Sequence, residues 1–204
     1  ASGRTDTGVH AIGQTIHFET EYDLSEYNWR KALNTLLPDD IYVKEVEEVS
    51  NTFHARYDVV EKEYHYYIWN EKEFDVFKRN YAYQFPYSLD VQAMQKACSY
   101  FEGTHDFTTF SSAKATVMGS KVRNLFEASC KQNGKEIEFI FRGSGFLYNM
   151  VRIMVGTLID VGQGKLKPSD IPVLLEKKDR TSAGKTAPPQ GLFLWEVSYP
   201  NHRV

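Results

Sequence analysis

Arg123-Asn124-Leu125-Phe126-Glu127-Ala128-Ser129-Cys130-Lys131 and Lys135-Glu136-Ile137-Glu138-Phe139-Ile140-Phe141-Arg142, joined across Asn133-Gly134, form the stretch whose reading decides the fold. Apolar and polar residues alternate on both sides of the join. An Asn-Gly pair between two alternating runs is the strongest short-range hairpin signal, because both residues tolerate the positive φ of a tight turn. Two long antiparallel strands are expected here. The next segment, Gly143 to Ile159, has another character: it is apolar at nearly every position and predicts a buried helix. Helix and hairpin succeed one another without regular βαβ alternation, which points to an α+β fold with a largely antiparallel sheet.

Arg152 lies inside that apolar helix. A guanidinium is almost never fully buried without an anionic or comparable acceptor, because an unpaired buried charge costs several kcal/mol. Asp160 stands eight residues further on, beyond the three- or four-residue spacing at which helix side chains meet. Two solutions stay open. Either Arg152 finds a carboxylate from elsewhere in the chain, with Asp6 the candidate, or it snorkels to the surface or to an RNA phosphate.

Asp6 sits in Gly3-Arg4-Thr5-Asp6-Thr7-Gly8-Val9-His10-Ala11. Flanking glycines allow a loop that pins a carboxylate with backbone amides and presents it at the lip of a cleft; an ordinary polar turn has the same composition. A third segment, Lys62-Glu63-Tyr64-His65-Tyr66-Tyr67-Ile68-Trp69, alternates as a strand. Tyr64, Tyr66 and Ile68 share one face, and Glu63, His65, Tyr67 and Trp69 the other. Aromatic strands serve as core or cross-strand packing, and a phenol facing a cleft can also stack on a base.

Elsewhere, Thr15 to Glu19 and Ile41 to Val49 are expected as strands, with a helix between them capped by Ser25 and ended by Pro38. Apolar periodicity lapses near Lys78-Arg79-Asn80, which divides the chain into halves 1–80 and 81–204. In the second half Asp90 caps a helix with Val91, Met94, Cys98 and Phe101 on one face, stopped by Gly103. A shorter helix starts near Pro168-Ser169-Asp170, and Leu192 to Val197 supplies a last strand. The chain has 204 residues and a formal net charge of −3, which argues against a generally basic nucleic-acid binder and leaves room for a local basic cleft. Its two cysteines, Cys98 and Cys130, lack metal or redox spacing and read as reduced thiols of a cytosolic protein. The apolar run from Phe146 to Ile159 is too short to span a membrane.

Gly3-Arg4-Thr5-Asp6-x-Gly8-Val9-His10-Ala11, Phe53-His54-Ala55-Arg56, Tyr64-x-Tyr66, His105-Asp106-Phe107-Thr108, Met150-Val151-Arg152 and Ala187-Pro188-x-x-Gly191-Leu192 occur in this order. Together they resemble the tRNA pseudouridine synthase A family from end to end of the chain. The resemblance implies two αβ layers sharing a sheet, with a central catalytic cleft. It implies isomerisation of uridine to pseudouridine at tRNA positions 38 to 40 without a cofactor or metal, by a cytoplasmic homodimer. Asp6 matches the family's catalytic aspartate, and Arg152 would hold it as an anion. Tyr64 matches the tyrosine that stacks on the target base and is a candidate for moving the C5 proton.

Arg4 matches the arginine that takes the place of a flipped nucleotide, and Leu192 would close the uracil pocket. Arg56 could touch RNA or brace the Tyr64 strand. Lys114, Lys121 and Arg123 look like phosphate contacts. The resemblance also implies a further strand and helix before the Asp6 loop, so the chain, which opens at Ala1-Ser2, is expected to be N-terminally truncated, with an exposed sheet edge. The alternative is a tRNA-binding fragment without catalytic activity.

Overall fold

The computed structural model describes residues 1–112 and 119–200. The hairpin is its backbone: β5 (Val122–Asn133) and β6 (Glu136–Gly143) pair antiparallel. The turn lies one residue later than the Asn-Gly pair suggests. Asn133 pairs with Glu136, so Gly134 and Lys135 form the two-residue loop. Of these two only Gly134 has a positive φ, 60°, as a type II′ turn with glycine at its first central position requires.

Around the hairpin a seven-stranded mixed sheet is assembled. β1 (His10–Ala11), β2 (Glu61–Trp69), β4 (Gly103–Asp106) and β7 (Leu192–Ser198) complete the order β1-β7-β2-β6-β5-β4, and β3 (Tyr83–Gln84) pairs with the end of β2. Most pairings are antiparallel; β1 with β7 and β3 with β2 are parallel. The sheet thus joins strands from both ends of the chain, with β2 between β6 and β7. Tyr66 and Ile68 of β2 point with Phe139 and Phe141 of β6 into the core. On the opposite face Glu63, His65 and Glu138 form a polar cluster, with His65 stacked on Trp195 at 4.1 Å.

The core is closed by helices. In α2 (Val91–Cys98), Asp90 Oδ1 accepts from Ala93 N at 2.9 Å, and Met94 and Cys98 are buried. A short 3₁₀ turn carries the chain on through buried Phe101, so Gly103 (φ 97°) opens β4 instead of ending the helix directly. α3 (Met150–Gly162) buries every residue except Arg152 and Asp160. It starts seven residues later than the apolar run suggests, because Gly143 ends β6 and Asn149 adopts the left-handed conformation (φ 60°) from which the helix departs. α4 (Asp170–Lys177) follows Pro168 as expected.

Two expected strands are not formed. α1 (Glu26–Leu36) is present and capped by Ser25, but none of its residues is buried. The segment after it pairs with that helix instead of with a strand: Val43 N donates to Asn34 Oδ1 at 2.7 Å, and Asn34 Nδ2 donates to Val43 O at 2.9 Å. Before the helix, the carbonyl of Thr15 accepts from Ser2 N, and Ile16 and Phe18 are exposed. Alternation permits a strand, but neither segment forms a ladder, and Val49 alone makes an isolated bridge.

Candidate active site

Three elements converge on Asp6. Its own loop hangs on β7: β1 runs parallel to Phe193 and Leu194, and the amides of Ile12 and Gly13 both donate to Leu194 O. The loop is closed by Val9 N donating to Asp6 O at 3.0 Å. Gly8 (φ 84°) packs against Pro189, where an added Cβ would meet Pro189 Cγ at 3.1 Å. This contact ties the Asp6 loop to the second element, residues 184–191.

The third element is the first turn of α3. Arg152 Nη1 donates to Asp6 Oδ2 at 2.8 Å and to Asn149 Oδ1 at 3.0 Å, while Nε donates to Ala187 O at 2.7 Å. The structure therefore brings Asp6 and Arg152 together across 146 residues of sequence. Both side chains are mostly shielded, 23% and 15% exposed, so a charge-assisted contact here is screened less than one in open water. The approach of 184–191 is permitted by glycine: Cβ atoms built at Gly156 and Gly184 would lie 1.7 Å from Lys185 O and 2.7 Å from Thr157 N. Ala187 N donates back to Arg152 O, and Gly184 N donates to Thr157 Oγ1.

Beside the pair stands Tyr64. Its ring meets Phe146 edge-on at 4.9 Å, and burial together with the Asp6 charge pushes its phenol up to about 12. Tyr66, below it in the core, donates to Pro188 O at 2.8 Å. Leu192, at the start of β7, pairs with Tyr66 in the sheet and is buried in the core. Arg4 is exposed and, with Arg56, His54, His17 and Tyr57, lines a cleft of about 300 Å³ next to the loop. His54 is committed locally, since its Nδ1 accepts from the amides of Arg56 and Tyr57 and its ring stacks on Tyr57 at 4.2 Å.

The remaining cations lie elsewhere. Arg123 Nη1 donates to the carbonyls of Ser120 and Val122, and desolvation lowers its pKa. Lys121 precedes it, its carbonyl accepting from Phe107 N. Lys114 lies outside the described residues. Asp106 accepts from Thr108 and pairs with Lys178, while His105 is bound to Glu102 O. Sequence reasoning missed Asn149 and the Ala187 carbonyl. Asparagine just ahead of a helix is a residue type enriched in left-handed backbone, the one signal available for Asn149; a main-chain acceptor has no sequence signal.

Comparison with known proteins places the chain among the RNA-modifying isomerases, since the family model for tRNA pseudouridine synthase matches residues 1–58 and 97–200. The chain belongs to the tRNA pseudouridine synthase family, and its relatives are of the A type. Over 98% of its length it is 62% identical to a protein of Oceanobacillus iheyensis named tRNA pseudouridine synthase A, of which the match covers 79%. It is 56% identical to tRNA pseudouridine synthase A 1 of Bacillus cereus and 52% identical to tRNA pseudouridine synthase A of Bacillus subtilis strain 168. Each of these matches covers 98% of the chain and 81% of the relative. Among the described residues no helix is long and apolar enough to cross a membrane.

Proposed function

We propose that the chain converts uridine to pseudouridine in the anticodon stem-loop of tRNA, at positions 38 to 40, with Asp6 as the catalytic group. The observation that carries this reading is the Asp6–Arg152 contact at the meeting point of the loop, α3 and residues 184–191. The reaction breaks N1–C1′, turns the uracil and forms C5–C1′; C5 gives up its proton to solvent and N1 takes one up from solvent. Atoms and electrons balance without an oxidant, reductant or added group. Asp6 acts as an anion, by attacking the sugar or the base or by removing a sugar proton, and Arg152 holds it ionised and oriented.

Tyr64 stacks on the target base. A phenol held near 12 is protonated at neutral pH, so it can take up the C5 proton only by passing its own on, or it serves as a stacking surface alone. Arg4 occupies the gap left by the flipped nucleotide, Leu192 closes the uracil pocket against water, and Arg56, Lys114, Lys121 and Arg123 contact RNA. The exposure of Arg4 and Arg56 on one cleft beside the loop supports the first of these placements. The homodimer and cytoplasmic location implied by the family likeness belong to the same proposal; sedimentation at micromolar concentration tests the former.

Primer-extension mapping after carbodiimide modification, on tRNA transcripts carrying uridine singly at 38, 39 or 40 or at none of them, tests the substrate reading. Stops are expected only at those three positions. Stops elsewhere, or none, would overturn it.

A further inference from the structure

Arg152 meets Asp6 through one nitrogen. A guanidinium facing a carboxylate commonly pairs through two parallel N–H···O bonds. Here only Nη1 engages, and only with Oδ2; among the described residues Asp6 Oδ1 accepts no hydrogen bond and Arg152 Nη2 donates none. Two other contacts hold the same guanidinium. Nη1 has two N–H bonds, one spent on Asp6 and the other on Asn149 Oδ1, while Nε is held by the Ala187 carbonyl. The guanidinium is thereby held at Nη1 and at Nε, and its contact with the carboxylate is through Nη1 and Oδ2.

Asn149 is in the left-handed conformation, φ 60°, a position where glycine would be at least as comfortable. Its side chain makes no capping hydrogen bond to α3, so backbone geometry and helix capping leave the asparagine side chain without a local task. Among the described residues its side-chain hydrogen bond is the one to Arg152.

We propose that Asn149 is a positioning residue for Asp6. By holding Arg152 Nη1 it restricts the ion pair to Oδ2 and leaves Oδ1, unbonded, as the oxygen that reacts with substrate, with Nη2 free to donate to a substrate oxygen. This inference rests on Asp6 being the catalytic group.

The test compares Asn149→Gly, Asn149→Ala and Asp6→Asn in release of tritium from tRNA labelled at uracil C5. Glycine keeps the left-handed backbone and alanine strains it, yet both delete the acceptor. Both are expected to lose about tenfold in kcat with the KM for tRNA within about twofold, while only the alanine variant melts at lower temperature. A glycine variant as active as the unsubstituted chain overturns the proposal. Activity surviving Asp6→Asn would instead overturn the catalytic reading beneath it. A readout independent of turnover is rotation of the Arg152 guanidinium about Nε–Cζ, followed by nitrogen-15 exchange spectroscopy. It is expected to quicken severalfold in Asn149→Gly, and an unchanged rate counts against the proposal.

Discussion

Gly156 sits in the middle of α3, where helix propensity alone would favour alanine by about 1 kcal/mol. The structure reverses that sign. A Cβ at Gly156 would lie 1.7 Å from Lys185 O, and ordinary contact begins at 3.4 Å, so the 184–187 segment would have to retreat by about 1.7 Å. Such a movement breaks the Ala187 N to Arg152 O bond and the Arg152 Nε to Ala187 O bond, 3.0 and 2.7 Å long. Two lost hydrogen bonds at about 1 kcal/mol each and about 2 kcal/mol of overpacking, less the propensity gain, leave Gly156→Ala destabilised by about 3 kcal/mol. For a chain of this size that lowers Tm by on the order of 10 °C. Activity measured well below the transition should fall by more than the unfolded fraction explains, because Arg152 has lost one of its anchors. Thermal melts and urea titrations, with tritium release at a temperature where both proteins are folded, provide the assay. A Gly156→Ala protein melting at or above the parent would refute the argument that glycine contact seats Ala187 on Arg152.

Tyr64→Phe keeps the ring and removes the phenol; kcat should fall about a hundredfold with tRNA affinity retained, and normal turnover would leave Tyr64 as a stacking surface only. Burial raises the pKa of both Cys98 and Cys130, the latter to about 12. Neither thiol should react with a disulfide reagent at about pH 8 until the protein unfolds, when both should titrate; prompt reaction of the native chain would contradict their burial. Asp106 is held below its ordinary value of 3.8 first by its bond from the Thr108 hydroxyl, and also by Lys178. A depressed carboxyl contributes stability above its unfolded pKa and loses it as pH falls through the folded value. The stability gap between the parent and Asp106→Asn should therefore be full at about pH 6 and closing by about pH 3; an equal gap at both would contradict this.

The hairpin, the α2 cap at Asp90 and the buried α3 were legible because each is written in local periodicity and turn chemistry. The sequence also narrowed the partner of Arg152, since an apolar helix carrying one guanidinium must find an anion somewhere. What stayed hidden depends on contacts distant in sequence. Thr15–Glu19 and Ile41–Val49 alternate like strands, yet the Val43 amide and carbonyl are satisfied by the side chain of Asn34, which no periodicity encodes. The late start of α3 follows from Gly143 completing β6 and from the left-handed Asn149, a backbone state that apolar composition masks. Gly156 and Gly184 carry no sequence signal for the close approach of their backbones. Ala187 contributes through a carbonyl, so its identity carries no hint of its task.

Asp6 is the group proposed to act on uridine. The most direct test of this role is tritium release from uracil-[5-³H] tRNA transcripts by the 204-residue chain and by Asp6→Asn, with tRNA binding measured in parallel. Release by the chain, none above background by Asp6→Asn, and nearly equal tRNA affinity for the two are expected. Equal release by both would contradict this role.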